Sequence, residues 1–387
     1  MRNYSIEYVS NIIFFIIILL TVPSLSLAKY LCESDCELNY EIITNDLNYP
    51  WGFAFLDETR ILISERSGLL KLIDGKLIQN VETRLQVNFS GQGGLLDIKK
   101  SPKYDQDKYL YLTYSKRKKG LSTTALIRFN IESNRIANVE ELFEALPYVR
   151  SNIHYGSRFT FDEAGHLLLT VGDRFNYTTA SRIADVFTAD PQRLDNHLGK
   201  TIRLNLDGTT PKDNPFLGSA GALPEIFTYG HRNPQGIYYN STDGQVYIAD
   251  HGPKGGDEIN KLIAGKNYGW PVATYGKDYN DERVGVGSWY SGIEEPLHYW
   301  DPSVAPSSLL IYGGENYQNW RNSWFVTTLR ERTLIRFVRS ENQLIGERLY
   351  RNEFGRIRKI EASPTGDLFL LTDGGKGSLV KILGNSR

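Results

Sequence analysis

The pattern of apolar and polar positions predicts a chain made of many short β-strands joined as hairpins. In each hairpin, a short apolar strand ends in a turn, and a second strand rich in β-branched and aromatic residues follows it. The second strand usually ends on an acidic or hydroxyl residue. The hairpin recurs six times, over residues 52–65, 94–114, 157–173, 236–250, 308–328 and 360–373. The recurrence indicates a repeat architecture whose units share strands and differ in loops.

The repeat favours one arrangement of sheets. A hairpin has two faces to bury, and four-stranded antiparallel sheets packed radially around an axis bury both of them. A sandwich or a jelly roll would not require six similar hairpins. We therefore predict an all-β, six-bladed β-propeller of four-stranded antiparallel blades, with residues 47–387 forming a single domain.

Composition agrees with this fold and argues against one class of function. The 387 residues include 24 Tyr, 35 Gly and a single Met, which is typical of strands and tight turns rather than of a helical bundle. The formal net charge is −1. Binding to the phosphate backbone of nucleic acids is therefore not expected.

The first 28 residues have the pattern of a secretory signal peptide. Arg2 begins a weakly basic segment, an apolar run follows over residues 12–20, and small residues close the segment at 26–28. Pro23 and several serines make the stretch 11–28 a poor membrane span, and a retained N-terminal anchor is the alternative. We predict cleavage after Ala28, a periplasmic or secreted protein, and no stable membrane insertion after cleavage.

Two cysteines, Cys32 and Cys36, follow the predicted cleavage point and are the only two in the sequence. In an oxidising compartment they can form a disulfide within an N-terminal segment, residues 29–46. A loop that short stabilises the fold only modestly, because loop-closure entropy grows with loop length. Metal binding by the two thiols is the weaker alternative, since no His is nearby.

The hairpins also predict where polar chemistry is concentrated. The start of the first strand and the end of the second lie on the same side of an antiparallel hairpin. These positions from all six repeats should converge on one mouth of the propeller, and they hold Trp51, Glu65, Gln92, Tyr114, His154, Asp173, Arg232, Asn233, His251, Pro302, Ser303, Arg330, Arg356, Arg358 and Asp373. Histidines, arginines and carboxylates in one funnel suit a polyanionic ligand and a proton-transfer step.

Structural roles compete with these functional ones. Asp173 could serve as a strand-end residue that accepts backbone N–H bonds, and Glu65 and Asp373 could be turn residues. Arg356 and Arg358 alternate on one strand and therefore share a face, which in an ordinary protein would face solvent. Their place at the mouth favours ligand binding.

Nine short motifs occur in order along the chain. They are Gly91-Gln-Gly-Gly-Leu-Leu-Asp97, His154-Tyr-Gly-Ser-Arg158, Val171-Gly-Asp-Arg174, Asn196-His-Leu-Gly-Lys-Thr-Ile-Arg-Leu-Asn205, Gly230-His-Arg-Asn-Pro-Gln-Gly236, His251-Gly-Pro253 with Gly256-Asp-Glu-Ile-Asn260, Asn267-Tyr-Gly-Trp-Pro271, Pro302-Ser-Val-Ala-Pro-Ser307 and Arg356-Ile-Arg358. Together they resemble the glucose/sorbosone dehydrogenase family over residues 47–383. The resemblance is greatest to soluble periplasmic aldose sugar dehydrogenases that depend on pyrroloquinoline quinone (PQQ).

The resemblance implies roles for five residues of the mouth. His154 is implied as the general base that takes the proton of the anomeric hydroxyl while a hydride passes to the quinone, and an ordinary imidazole pKa of about 6.5 suits this task. Asp173 is implied as its orienting carboxylate and Gln92 as a polar contact near the reacting carbonyl. Arg232 and Asn233 are implied beside the quinone oxygens, where positive charge stabilises the reduced form.

The resemblance also implies which groups hold the three carboxylates of PQQ. Arg330, Arg356 and Arg358 are the implied cations, and a planar guanidinium fork matches a carboxylate. The hydroxyl of Ser303 is the implied contact to one of the carboxylates.

Calcium is implied at two places. The carbonyls of Gly252 and Pro253 would hold a Ca²⁺ that also ligates the quinone and acts as a Lewis acid. Glu258 and the carbonyl of Tyr268 resemble ligands of a second, structural calcium. Residues 255–258 could equally be an ordinary polar loop.

Three positions depart from the family pattern. Ile153 stands where glucose-oxidising relatives have Asp, so we expect different sugar contacts there. His251 stands where they have Gln, next to the implied calcium ligands. Arg330 replaces a lysine, which keeps the charge and changes the geometry.

The sequence thus predicts a periplasmic quinoprotein that oxidises aldose sugars to lactones with PQQ and Ca²⁺ and passes electrons to an unidentified acceptor. Two alternatives stay open: a calcium-dependent propeller hydrolase similar to a lactonase, and a binding propeller without catalysis. A hydrolase would need several carboxylates or Asn side chains around a central metal, and the mouth is rich in Arg instead. Ile153 and His251 leave the binding propeller open.

Overall fold

The computed structural model of the chain describes residues 39–176, 183–340 and 343–383. The predicted signal peptide and the predicted Cys32–Cys36 disulfide lie outside these ranges. Within them, no helix is long and apolar enough to span a membrane.

The described residues form strands almost throughout. The first twelve strands are β1 Tyr40–Leu47, β2 Pro50–Phe55, β3 Arg60–Glu65, β4 Leu69–Asp74, β5 Leu77–Glu82, β6 Leu95–Lys100, β7 Leu110–Lys118, β8 Leu121–Glu132, β9 Arg135–Glu144, β10 Phe159–Phe161, β11 His166–Val171 and β12 Lys200–Asn205. The remainder are β13 Ile226–Tyr229, β14 Pro234–Asn240, β15 Gln245–Asp250, β16 Asp257–Lys261, β17 His298–Trp300, β18 Pro306–Ile311, β19 Trp324–Thr328, β20 Leu334–Ser340, β21 Gln343–Leu349, β22 Ile357–Ala362, β23 Leu368–Thr372 and β24 Gly377–Ile382. In residues 39–176, 183–340 and 343–383, helix is limited to the short helices α1 Tyr104–Asp107 and α2 Ile183–Val186 and to two 3₁₀ turns, Asp190–Gln192 and Gln318–Trp320.

Four sheets have four strands each, and a fifth has eight. The four-stranded sheets are β10 to β13, β14 to β17, β18 to β21, and β22 to β24 joined by β1. The eight-stranded sheet contains two antiparallel units, β2 to β5 and β6 to β9, which meet at the parallel pair Glu82–Arg135. The predictions of an all-β fold and of four-stranded antiparallel sheets are confirmed. The prediction of six separate blades is not, because this pair joins two of the units into one sheet.

Each of the six predicted hairpins forms the first two strands of one unit. The pairs are β2–β3, β6–β7, β10–β11, β14–β15, β18–β19 and β22–β23, all antiparallel. The first strands of neighbouring units contact one another: β2 with β6, β10 with β14, β14 with β18, β18 with β22, and β22 with β2. An ion pair of 3.1 Å between Asp97 on β6 and Arg158 before β10 joins the remaining neighbours.

Buried charge lies where the first strands meet. Asp97 pairs with Arg158 and with Lys359, each at 3.1 Å, and all three side chains are buried. Burial by itself would raise the pKa of Asp97, but the charges of Lys359 and Arg158 outweigh it and lower that pKa. Gly52 is required beside this carboxylate, because a Cβ there would lie 3.0 Å from the Asp97 Cα. The ion pairs therefore tie strands from three units together at the centre.

Candidate active site

A cavity of about 300 Å³ opens where the six hairpins converge. It is lined by Trp51, Arg66, Gly91, Gln92, Leu96, Tyr155, Gly156, Asn233, Gln235, His251, Ala305, Leu329, Arg356, Arg358 and Asp373. Every hairpin contributes residues from the start of its first strand, and several contribute from the end of the second. Of the fifteen predicted mouth residues, seven line this cavity: Trp51, Gln92, Asn233, His251, Arg356, Arg358 and Asp373.

His154 and Asp173 form a buried pair beside this cavity. The His154 Nδ1 lies 2.7 Å from the Asp173 Oδ1, and the two residues are 5% and 0% exposed. The Asp173 carboxylate also accepts hydrogen bonds from the Phe175 N–H at 2.7 Å and from the Trp270 Nε1–H at 2.8 Å. Since an ionised carboxylate only accepts, Nδ1–H is the donor and Nε2 carries the lone pair. The pair therefore presents a neutral imidazole whose Nε2 can take a proton.

The backbone of His154 is fixed as closely as its ring. Its φ is +53°, a left-handed conformation that costs energy for a residue with a side chain. Its N–H donates to the Gln92 Oε1 at 2.8 Å, so Gln92 connects the cavity wall to His154. Gly172 packs so closely that a Cβ there would lie 2.2 Å from the His154 carbonyl oxygen.

Arg232 places a positive charge next to the imidazole. Its Nη1 donates to the Gly252 carbonyl at 2.6 Å, and its guanidinium lies 5.2 Å from the centre of the Trp270 ring. The Asp250 carboxylate accepts hydrogen bonds from the backbone N–H groups of Arg232 and Asn233 at 3.2 and 2.7 Å. Burial and the Arg232 charge lower the pKa of His154 below its ordinary value, and Asp173 opposes this. The imidazole is therefore kept neutral at physiological pH.

Arg356 and Arg358 form the positive wall of the cavity. Arg358 is buried and its Nη2 donates to the Asp373 Oδ2 at 2.8 Å, and the Arg356 Nε donates to the same oxygen at 3.0 Å. Burial by itself would raise the pKa of Asp373, but Arg358 and Arg356 outweigh it and hold that pKa at about 2. Asp373 is thus an anion that orders two guanidinium groups, whose Nη1 groups donate to the Leu329 carbonyl oxygen and to the Gln235 Oε1.

Three predicted cofactor contacts, Arg232, Ser303 and Arg330, do not line the cavity. The Ser303 hydroxyl donates to the Asp257 Oδ2 at 2.7 Å, and Asp257 also accepts from the backbone N–H groups of Gly252 and Val304. Asp257 therefore ties the loop of the predicted calcium ligands to the loop of Ser303. Arg330 is exposed and lies next to a cavity residue, Leu329, without lining the cavity itself.

Three of the four predicted metal ligands border a second, much smaller cavity. Its volume is about 10 Å³, room for one water-sized particle, and Gly252, Glu258 and Tyr268 are among its lining residues. Burial, reinforced by repulsion from Asp250, raises the pKa of Glu258 to about 8. The Asn260 Oδ1 is buried and has no hydrogen-bond partner among the described residues. The Asn260 Nδ2 donates to the Glu258 Oε2 at 2.9 Å, and the buried carboxylate oxygens of Glu258 are donors suited to a hard cation.

The Gly252 and Pro253 carbonyls are a less complete metal site. The Gly252 oxygen already accepts a hydrogen bond from Arg232, so a cation there would share that oxygen with a guanidinium. In the part of the chain that the structure describes, no cluster of three or more His, Cys, Asp or Glu side chains is placed to hold a metal. Backbone oxygens and ligand atoms would have to complete either site.

Two polar residues of the cavity, Arg66 and Gln235, had no predicted role. Arg66 follows the second strand of the first hairpin by one residue. Choosing the last residue of each second strand gave Glu65 instead. Gln235 lies just inside β14 and belongs to a motif from which only Arg232 and Asn233 were chosen. Trp51 and Asp373 stood at predicted mouth positions and were given no role.

The cavity has the chemistry that a flat, multiply charged anion requires. Arg66, Arg356 and Arg358 line it, and the Arg358 Nε is buried without a hydrogen-bond partner among the described residues. Trp51 contributes a buried aromatic surface, 5.6 Å from the Arg358 guanidinium. The residues present therefore fit PQQ, whose carboxylates would satisfy the guanidinium groups.

The fold and the site define an all-β protein with a cation-lined cavity and a His–Asp pair at the convergence of its hairpins. A family model described as glucose/sorbosone dehydrogenase matches residues 47–381. The chain belongs to the glucose/sorbosone dehydrogenase family, which confirms the resemblance noted in the sequence.

Individual relatives agree with the family assignment. The chain is 33% identical over 370 residues to aldose sugar dehydrogenase YliI of Escherichia coli (strain K12), covering 93% of this chain and 97% of the relative. It is 27% identical over 421 residues to quinoprotein glucose dehydrogenase B of Acinetobacter calcoaceticus, covering 86% and 85%. The crystal structure of the soluble aldose sugar dehydrogenase of Escherichia coli in the apo form superimposes with a TM-score of 0.83 at 32% identity, covering 89% and 99%.

Proposed function

We propose that the protein is a PQQ-dependent dehydrogenase that oxidises aldose sugars at the anomeric carbon to lactones. The observation that carries the proposal is the buried His154–Asp173 pair beside a cavity walled by Arg356 and Arg358. Relatives named aldose sugar dehydrogenase and quinoprotein glucose dehydrogenase support the substrate class and the type of cofactor.

His154 acts as the general base. When bound, PQQ supplies the two-electron acceptor for the hydride that leaves the anomeric carbon. The His154 Nε2 takes the proton of the anomeric hydroxyl, which a neutral imidazole can do. Asp173 holds the ring in the required tautomer and stabilises the imidazolium that forms, as the 2.7 Å contact to Nδ1 allows.

The arginines divide two tasks between them. Arg232, buried beside His154, provides positive charge near the reacting oxygens and lowers the pKa of the base. Arg356 and Arg358 hold the carboxylates of the cofactor, and Arg66 adds a third cation to the same wall. Gln92 ties the cavity wall to the His154 backbone. Ser303 and Arg330 would join the cofactor contacts only after their side chains or loops move.

Calcium completes the site in this proposal. Glu258 and the Tyr268 carbonyl would hold one structural Ca²⁺ in the small cavity, where the ion would compensate the buried carboxylate. The Gly252 and Pro253 carbonyls would hold a second ion next to the cofactor.

The remaining predictions concern the molecule as a whole. We propose that residues 47–387 form one six-bladed propeller, a closed ring of units that is supported by the contact of β22 with β2. The segment 1–28 would direct export to the periplasm or outside the cell, and 29–46 would carry the Cys32–Cys36 disulfide. Electrons would leave to an acceptor that is not identified.

Reconstitution tests the function directly. Purified apo-protein is supplied with PQQ and Ca²⁺, and reduction of a redox dye is followed with a panel of aldoses. We expect sugar-dependent dye reduction, and His154→Ala should keep cofactor binding while turnover falls at least about 100-fold. Absence of dye reduction together with unchanged cofactor absorbance would refute the proposal, and lactone hydrolysis without PQQ would favour a hydrolase. Normal turnover in His154→Ala would reject the role of the base.

A further inference from the structure

A chain of side-chain amides connects the positive wall of the cavity to the His154 loop. The Arg358 Nη1 donates to the Gln235 Oε1 at 3.1 Å. The Gln235 Nε2 lies 3.3 Å from the Asn233 Oδ1 and 3.1 Å from the Gly156 carbonyl oxygen. The Gly156 N–H also donates to the Asn233 Oδ1, at 3.1 Å. Gly156 follows His154 by two residues, so the chain spans both sides of the site.

The direction of every hydrogen bond in this chain is determined by Arg358. A guanidinium only donates, so the Gln235 atom facing it must be the oxygen Oε1. The Gln235 nitrogen then faces Gly156 and Asn233, and a carbonyl oxygen such as that of Gly156 only accepts. The Asn233 atom that receives two donors, from Gln235 and from the Gly156 N–H, must therefore be its oxygen.

With its oxygen occupied by two donors, the Asn233 amide turns its nitrogen, Nδ2, the other way. Asn233 lines the cavity, and its Nδ2 has no hydrogen bond to the residues that the structure describes. Two N–H donors are thus left to face a ligand. Gln235 is itself well fixed, since it is buried and its carbonyl accepts from the Arg158 Nε at 3.0 Å.

We propose that Gln235 is a positioning residue that sets the orientation of the Asn233 amide, so that Asn233 presents N–H donors to an anionic oxygen of the bound cofactor. This inference rests on the proposed function for the identity of that cofactor. Gln235 acts through Asn233. Because Arg358 fixes which end of the Gln235 amide donates, it also fixes which end of the Asn233 amide accepts.

Gln235→Glu tests the orientation with almost no change in shape. A carboxylate at this position still accepts from Arg358 and offers no donor to Asn233. We expect Asn233 to rotate its nitrogen toward Glu and to turn its oxygen to the cavity. PQQ affinity, measured by quenching of tryptophan fluorescence in the Ca²⁺-loaded protein, should then fall about tenfold or more, while the melting temperature stays within a few degrees. Gln245→Glu, in the strand start of β15, adds the same charge outside the site and should leave affinity unchanged.

A double-mutant cycle separates orientation from simple charge repulsion. In an Asn233→Ala background, Gln235→Glu should cost less than about threefold in PQQ affinity, because the residue through which it acts is gone. An equal loss in both backgrounds would mean that the new carboxylate repels the anion directly, and the proposal would be wrong. So would a loss of stability that parallels the loss of affinity.

A crystal structure of ligand-free Gln235→Glu provides a readout that does not depend on PQQ. The Gly156 N–H can no longer donate to Asn233 once the amide nitrogen faces it, so we expect this 3.1 Å contact to lengthen beyond hydrogen-bond distance. An unchanged contact would overturn the proposal. If the wild-type protein binds no PQQ, the proposed function fails while this structure still decides the role of Gln235.

Discussion

Polar side chains at the site are oriented by partners that can only donate or only accept hydrogen bonds. Asp173 accepts from the His154 Nδ1 and so leaves Nε2 as the base. The His154 N–H donates to the Gln92 oxygen, which directs the Gln92 nitrogen elsewhere. At the residue scale, the site is therefore preorganised by one-way hydrogen bonds, which reduces the cost of reorganisation during the reaction.

The pKa of the base predicts the acid side of the pH–activity profile. Only neutral His154 can accept a proton, and burial and Arg232 place its pKa below 6.5 in the folded protein. As the pH falls through that pKa, the imidazole becomes protonated and kcat/KM declines. We expect the midpoint of this decline below pH 6.5. Asp173→Asn removes a charge that raises the pKa, so its midpoint should be lower still. A wild-type midpoint above pH 6.5 would contradict the assignment.

Glu258 predicts how calcium affects stability. Burial raises the pKa of Glu258 to about 8, and a Ca²⁺ bound to it in the folded state would stabilise that state by about 2.7 kcal/mol at 100 times Kd. Adding Ca²⁺ to chelator-treated protein should raise the melting temperature by several degrees, and Glu258→Gln should lose most of this rise. Glu163→Gln, an exposed turn position, is the matched control and should keep it. An equal rise in both variants would place the ion elsewhere.

At the scale of elements, strand pattern and turn position were enough to predict which strands pair as hairpins. All six hairpins form, and their ends bring Gln92, Asn233 and Arg358 into the lining of one cavity, with the His154 backbone bound to Gln92 beside it. What the pattern could not give is the direction of a side chain. Ser303 is at the predicted position, yet its hydroxyl is bound to Asp257, and Arg330 is at a strand end, yet outside the cavity.

Contacts that depend on the close approach of two backbone segments also could not be predicted from the sequence. The motif containing Gly172 was recognised, but not that Gly172 packs against the His154 carbonyl oxygen. The contacts of Gln235 could not be predicted for a similar reason, because its partners Arg358 and Gly156 belong to other units. Repeat periodicity predicts where an element lies, whereas hydrogen bonds between units depend on three-dimensional packing.

Gly172→Ala should disturb the element that carries the base. The added Cβ would lie 2.2 Å from the His154 carbonyl oxygen and 2.9 Å from the Asn233 Oδ1, so the backbone must shift. We expect a loss of about 1–3 kcal/mol in unfolding free energy, and a fall of at least about tenfold in kcat as His154 moves. Gly313→Ala has open space around the new Cβ and serves as the control in denaturant titrations and kinetics. Unchanged kcat in Gly172→Ala would show that the His154 backbone tolerates movement.

At the scale of the whole molecule, the first strand of the described chain completes the sheet that contains the last three strands. β1 pairs with β24, so the beginning and the end of the described chain share one sheet. An apolar cluster joins that sheet to the next unit, with Leu47 from β1, Phe369 and Leu379 from the last strands, and Phe55 and Ile63 from the first unit. Arg356 and Arg358 lie at the start of the same sheet, just before and within β22. The pairing of β1 with β24 therefore helps to support the positive wall of the cavity.

Two substitutions in the same strand measure the contribution of this closure. Leu47 is buried in the apolar cluster, whereas Ile42 on β1 is 52% exposed. Leu47→Ala should cost about 2–4 kcal/mol of unfolding free energy and lower the melting temperature in a single transition, because the cluster spans the first and last units. Ile42→Ala should cost less than about 0.5 kcal/mol. PQQ affinity should also fall in Leu47→Ala, since a loosened closing sheet loosens Arg356 and Arg358. If the two variants unfold at the same temperature, the apolar cluster around Leu47 does not stabilise the fold.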